Sequence, residues 1–155
     1  MRQPTQHPTR TQNGGFSLIE VLIAVLVLAI GLLGLAGLQT TSMQHNHDAQ
    51  LRTQATLLAY DMADRMRANR EVARTTNSYE SSFTESACTD GFVSTASSVA
   101  ARDLDEWRNQ LSCYLPQGDG QIQRNGDTLT ITVRWTEREA DNPDNQRDFV
   151  FRTRL

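Results

Sequence analysis

Residues 21–38, VLIAVLVLAIGLLGLAGL, are eighteen in a row without a charged or polar side chain. That run limits what the chain can fold into more than any other feature. An uncharged apolar stretch of this length is long enough to cross a bilayer as a helix. With residues 16–19 included, the segment spans about 35 Å at ~1.5 Å per residue. Gly14, Gly15 and Phe16 stand just before it, and Glu20 sits immediately ahead of the run. A carboxylate deep in lipid costs about 3 kcal/mol, so the position of Glu20 needs a reason.

Three arrangements fit a basic start followed by an apolar run. In a secretory signal peptide, Gly34-Leu35-Ala36 would serve as a small-residue cleavage site. The run is long for that purpose, and Glu20 falls where the apolar region should begin. A plain signal anchor accounts for the run but leaves Glu20 and the glycine pair unexplained. The third arrangement comes from a resemblance. The segment GGFSLIEVLIAVLVLAIGLLGLAGLQ closely resembles the N-terminus of the type IV pilin superfamily.

In that family a membrane-embedded aspartyl prepilin peptidase cuts after a leader glycine and methylates the new N-terminus. The resemblance implies that Gly15 ends the leader, that Phe16 becomes the methylated N-terminus, and that Glu20 is the family's glutamate. Cleavage supplies a cation, because the free α-amine of Phe16 is charged at neutral pH. The resemblance implies that Glu20 of an incoming subunit pairs with the Phe16 amine of its neighbour and sets register in a filament of packed helices. The alternative is that Glu20 snorkels to the membrane interface. Gly31, Gly34 and Gly37 recur at spacing three. Each costs up to about 1 kcal/mol against alanine in a helix interior. They serve either close helix packing or local softness of the helix; major pilins usually carry a proline in this region, and this chain does not.

The helical pattern continues beyond the run. Leu51, Ala55, Leu58, Met62 and Met66 form one apolar stripe, and no glycine or proline interrupts residues 39–74. One helix is expected to continue to about Arg70, with Asp61 and Arg65 as an i,i+4 pair worth a few tenths of a kcal/mol when exposed. Within it, QATLLAYDMADRMRANR resembles the PilV (type IV pilus modification protein) branch of minor pilins.

Residues 75–98 are rich in Ser and Thr and read as a loop that includes Cys88. Ser98 is expected to cap a second helix to about Ser112, with Val99, Leu104, Trp107 and Leu111 on its apolar face and Cys113 following it. Pro116 and QGDG then break the chain. Asn125-Gly126 signals a hairpin, and Leu129, Ile131, Val133 and Trp135 alternate as a half-buried strand. After the polar stretch EADNPDNQ, a last strand places Phe149 and Phe151 on one face. The expected fold is α+β: a long N-terminal helix packed on a small antiparallel sheet, similar to the pilin fold. The expected parts are a leader at 1–15, a transmembrane and assembly helix at 16–38, its amphipathic continuation at 39–74 and a globular domain at 75–155.

The chain carries 15 basic residues, all arginine, against 18 acidic ones. Arg2 and Arg10 precede the apolar run. By the positive-inside rule they keep the N-terminus in the cytoplasm and send everything after Leu38 to the periplasmic side. A single pass through the inner membrane, followed by incorporation into the pilus, is the expected location. Two cysteines in an oxidising compartment are expected to pair. A Cys88–Cys113 bond would close 26 residues and contribute about 3 kcal/mol in the chain-entropy model; two separate buried thiols are the alternative.

No catalytic set is present: no CxxC, no glycine-rich phosphate loop and no HExxH. Asp103, Asp105 and Glu106 are expected on an exposed helix face. His45 and His47 lie about 200° apart on a helix, which is poor for chelation. No metal, cofactor or enzymatic activity is expected. Without residues 1–15 the balance is 13 basic to 18 acidic, which argues against a general grip on nucleic acid. Arg152 and Arg154 share a face of the last strand, with Arg134 nearby, and that face reads as a nucleic-acid contact or as an ordinary solvated face, with the solvated reading favoured. The resemblance implies as partners a prepilin peptidase, other minor pilins, the major pilin and the inner-membrane assembly platform. It implies a minor pilin that initiates pilus assembly in a tip complex and supports twitching motility and adhesion. A minor pseudopilin of type II secretion, and a tip adhesin or DNA-binding subunit, are the competing roles.

Overall fold

The computed structural model describes residues 14–137 and 145–155. Most of the expected leader and most of the polar stretch before the last strand lie outside the described residues. The chain divides into two units, Met1–Met43 and Gln44–Leu155, and the helix α1, Leu18–Ala68, contributes to both. In the first unit every described residue is exposed.

The second unit builds its core from the stripe on α1. Leu51, Ala55, Leu58, Met62 and Met66 are buried as expected, and Ala59 and Ala63 join them. α1 stops at Ala68, slightly short of the expected end. Asn69 leaves the helical region at φ −109°, ψ 43°, and a short helix α2 resumes over Arg70–Thr75. Asparagine competes with the helical backbone through its side chain, and Asn69 Nδ2 here donates to Tyr79 Oη at 3.1 Å.

α3, Val99–Tyr114, starts where expected: Ser98 Oγ accepts the Ala101 N–H at 3.2 Å. Its buried face is Ala100, Leu104, Trp107 and Leu111, spaced 4, 3 and 4. Val99 departs from expectation and is 49% exposed, because one position back from Ala100 points about 100° away from that face. Cys113 lies in the last turn of α3 rather than after it, and it is bonded to Cys88.

Three antiparallel strands follow in the order β1-β2-β3: β1 Asp119–Asn125, β2 Thr128–Thr136 and β3 Gln146–Arg154. The first hairpin pairs Asn125 with Thr128, so its central residues are Gly126 and Asp127, one position later than the Asn-Gly signal suggested. Gly126 takes φ +59° at the first central position, a conformation that only glycine adopts at no steric cost. QGDG interrupts the chain only in part, because β1 already includes Asp119 and Gly120. Leu129, Ile131, Val133 and Trp135 are buried beneath β2 as the alternation predicted, with Ile122 beside them. Phe149 and Phe151 share the inward face of β3 and are half-buried. The sheet joins one core with the α1 stripe and the α3 face. Trp107 ties the layers together by donating its indole N–H to the Leu58 carbonyl at 2.9 Å.

Candidate functional site

The N-terminal segment needs no tertiary support to take its shape. Gly14, Gly15, Phe16 and Ser17 are non-helical and exposed. The Ser17 carbonyl accepts the N–H groups of Glu20 and Val21 at 3.0 and 3.2 Å, which starts α1. Glu20 lies in the first helical turn, where the helix dipole favours a negative charge. Phe16 is 85% exposed. The most apolar eighteen-residue window of α1 has no residue buried inside the chain. A Cβ added at Gly31, Gly34 or Gly37 would meet nothing within 4 Å. Just beyond, the Thr40 and Thr41 hydroxyls donate to the Ala36 and Gly37 carbonyls at 3.1 Å each, a pattern that often bends helices.

The second unit is held by polar links that the sequence did not announce. Arg65 bonds its expected partner Asp61 at 2.8 Å. It also bonds Glu106 at 2.9 Å and lies 3.6 Å from Asp103. The pair is therefore a four-residue network between α1 and α3, not an exposed i,i+4 bridge. This overturns the expectation that Asp103, Asp105 and Glu106 lie on an exposed face. All three are half-buried, because that flank of α3 meets Arg65, Tyr79 and Ser94. Burial works against the Arg65 charge, but the hydrogen bonds to Glu106 and Asp61 outweigh it and hold its pKa above the usual value. Tyr79, fully buried, donates its hydroxyl to Asp103 at 2.6 Å. Burial first, and the Asp103 bond second, push its pKa up to about 12.

The Ser/Thr-rich segment is pinned at several points. Cys88 is bonded to Cys113, with their Cα atoms 4.7 Å apart. Asn109 holds Thr89 by two bonds, accepting its N–H at 2.8 Å and donating to its carbonyl at 3.0 Å. Ser94 donates to Asp105 at 2.7 Å. Arg124 on β1 donates to the carbonyls of Ala73, Arg74 and Thr76 and so closes the C-terminal end of α2. None of these links has a local sequence pattern, since each joins residues 11 to 51 positions apart.

Arg134 is not part of a free basic face. It makes a two-bond pair with Asp148 at 2.8 and 2.9 Å and lies over the Phe83 ring at 4.0 Å. The Asp148 hydrogen bond raises its pKa. Arg152 and Arg154 are exposed. His45 and His47 are exposed on α1, and no group of metal-ligating side chains occurs among the described residues. A cleft of about 570 Å³ lies beside Phe83, Glu85, Gln117, Asp119, Arg134 and Gln146. Among its described lining residues the one cation, Arg134, is committed to Asp148.

Two family models match the chain and adjoin each other. A prokaryotic N-terminal methylation motif matches residues 10–36, and the type IV pilin Tt1218 family matches residues 37–105. Comparison with curated proteins and with solved structures gave no match. The methylation motif implies processing by a prepilin peptidase and assembly with other pilins. With the apolar helix, it points to membrane anchoring and incorporation into a pilus. The matched family is structural rather than enzymatic. The methylation motif, the match over residues 37–105 and the helix-on-sheet fold agree: the chain is similar to type IV pilins and carries a prepilin-type N-terminal methylation motif.

Proposed function

We propose that the chain is a minor pilin that takes part in initiating and assembling type IV pili, within a minor-pilin complex at the filament tip, in support of twitching motility and adhesion. The observation that carries this reading is the bare helix. An eighteen-residue apolar window with nothing buried needs lipid around it first and other helices afterwards. Residues 1–15 are the leader, cut after Gly15, and Phe16 is the methylated N-terminus. Residues 16–38 serve as anchor and then as assembly helix, 39–74 as its continuation, and 75–155 as the exported domain. Arg2 and Arg10 keep the start of the chain in the cytoplasm and leave the domain in the periplasm before assembly.

Glu20 pairs with the Phe16 amine of a neighbour. Its exposed place in the first helical turn, four residues from Phe16, supports that role. Gly31, Gly34 and Gly37 act through softness or through contact with neighbouring helices, since nothing within the chain approaches them. The adjacent threonine back-bonds favour softness. The minor-pilin branch rests on the DMADRMRAN segment.

A strain whose only copy carries Glu20→Ala is expected to process the chain and form the Cys88–Cys113 bond, yet to show few pili. Normal piliation would refute the assembly role. Mass spectrometry of the membrane-extracted protein should find a chain starting at methylated Phe16. Deletion of the gene should remove surface pili and twitching while leaving protein secretion intact. Loss of secretion with normal pili would make it a type II secretion pseudopilin, which shares the leader, helix and glutamate.

A further inference from the structure

We propose that the outer edge of β3 receives an extended segment of a partner protein, apolar on the side facing α1 and acidic on the opposite side. This does not rest on the chain being a minor pilin.

The two edges of the sheet differ. On the outer side of β1, Ser81 exchanges hydrogen bonds with Ile122, N–H to carbonyl at 2.9 and 3.0 Å. Beside β3 no further strand lies among the described residues, although β3 is nine residues long and contains no proline. An edge strand presents a row of unpaired N–H and C=O groups, a template for another strand.

The layer beneath that edge is incompletely covered. Ile131 and Val133 of β2 are fully buried, but their neighbours across the ladder, Phe151 and Phe149, are only half-buried. Tyr60 of α1 packs edge-on against Phe151, with ring centroids 4.8 Å apart, and remains 45% exposed. Leu57, nearly one helical turn earlier, is 61% exposed. A strand added beside β3 would lay its inward side chains over this uncovered flank.

The outward face of β3 selects the charge. Asp148 is taken by Arg134, Val150 is 49% exposed, and Arg152 and Arg154 follow at alternate positions. Their ladder neighbours are Thr130 and Thr128, and no acid pairs with either arginine among the described residues. Carboxylates at alternate positions of an incoming strand would stand opposite both cations. A second copy does not suit the site. A two-fold β3–β3 pairing reverses α1 in the partner, because Tyr60 to Arg67 runs alongside Phe151 to Thr153. Two chains inserted by the same N-terminal run enter a membrane in the same sense.

The test uses the full chain in detergent micelles. The probe is the capped peptide Glu-Thr-Glu-Val-Thr-Val-Lys, written to run antiparallel from Arg154 to Asp148. It is expected to slow amide exchange across residues 149–154 and not in β1. Arg152→Glu with Arg154→Glu should weaken binding at least ~tenfold while the thermal midpoint is unchanged. The proposal fails if millimolar peptide gives no protection, or if the charge-inverted peptide Lys-Thr-Lys-Val-Thr-Val-Glu protects equally. It also fails if β3 becomes protected with rising protein concentration and no peptide, because a second copy then occupies the edge.

Discussion

At Gly31, Gly34 and Gly37 an added Cβ would meet nothing, whereas at Gly120 it would lie 2.3 Å from Cη2 of Trp107 and 2.6 Å from a Leu111 methyl. The same residue type marks opposite conditions in the two units. In the first half of α1, glycine tells nothing about packing within the chain, because no side chain is buried there. In the second unit, Gly120 is small because an indole occupies the space a side chain would need. The teaching is that α1 is one helix with two environments. Residues 51–66 bury a stripe against their own chain, and residues 18–38 bury nothing within it.

That contrast can be broken most sharply at Trp107. Trp107→Ala removes a fully buried indole and its bond to the Leu58 carbonyl, and is expected to destabilise the second unit by about 3–5 kcal/mol. Near-ultraviolet circular dichroism against temperature would show it. A loss under ~1 kcal/mol would mean that the layers are not joined there. Gly120→Ala comes next, with an expected cost of about 1–3 kcal/mol from overpacking. Gly34→Ala serves as its counterpart and should leave the thermal midpoint of the second unit unchanged, while making the helix stiffer. If Gly34→Ala lowers that midpoint as Gly120→Ala does, the separation of the two environments is wrong.

The smallest effect is a pH dependence confined to the second unit. The Tyr79 hydroxyl is raised from its ordinary 10.0 to about 12, so the folded state holds its proton more tightly than the unfolded state. Its contribution is complete below about pH 10 and is lost as pH rises towards 12. Chemical denaturation at pH 9, 10 and 11 should show stability falling across that range. In Tyr79→Phe that part of the fall should disappear, with a cost of about 1 kcal/mol at neutral pH for the lost Asp103 bond. An unchanged slope in the variant would assign the alkaline loss to another group.

Elements that depend on local pattern were legible. The apolar run, the stripe from Leu51 to Met66, the Ser98 cap and the alternation in β2 each follow from residues within a few positions of one another. The hairpin was legible to within one residue, because Asn-Gly names the turn without fixing which residues occupy its centre. What escaped depended on partners far along the chain. Asp103, Asp105 and Glu106 looked solvated because their spacing on α3 carries no trace of Arg65, Tyr79 or Ser94. Val99 looked buried because it lies near the apolar face by type, but it faces away by angle. Arg134 looked like part of a basic face until β3 brought Asp148 across from it.

By itself, the sequence determined the methylation motif and the apolar run of the N-terminal segment. A peptidase motif and an apolar run are read linearly, and helix formation over residues 18–38 needs only local hydrogen bonds and the absence of charge. The tertiary structure alone decided the rest. It decided that Arg124 closes α2, that Gly120 yields to Trp107 and that, among the described residues, β3 is the edge left open. Each of those is a contact between distant segments, and distance in space is fixed only once the layers have packed.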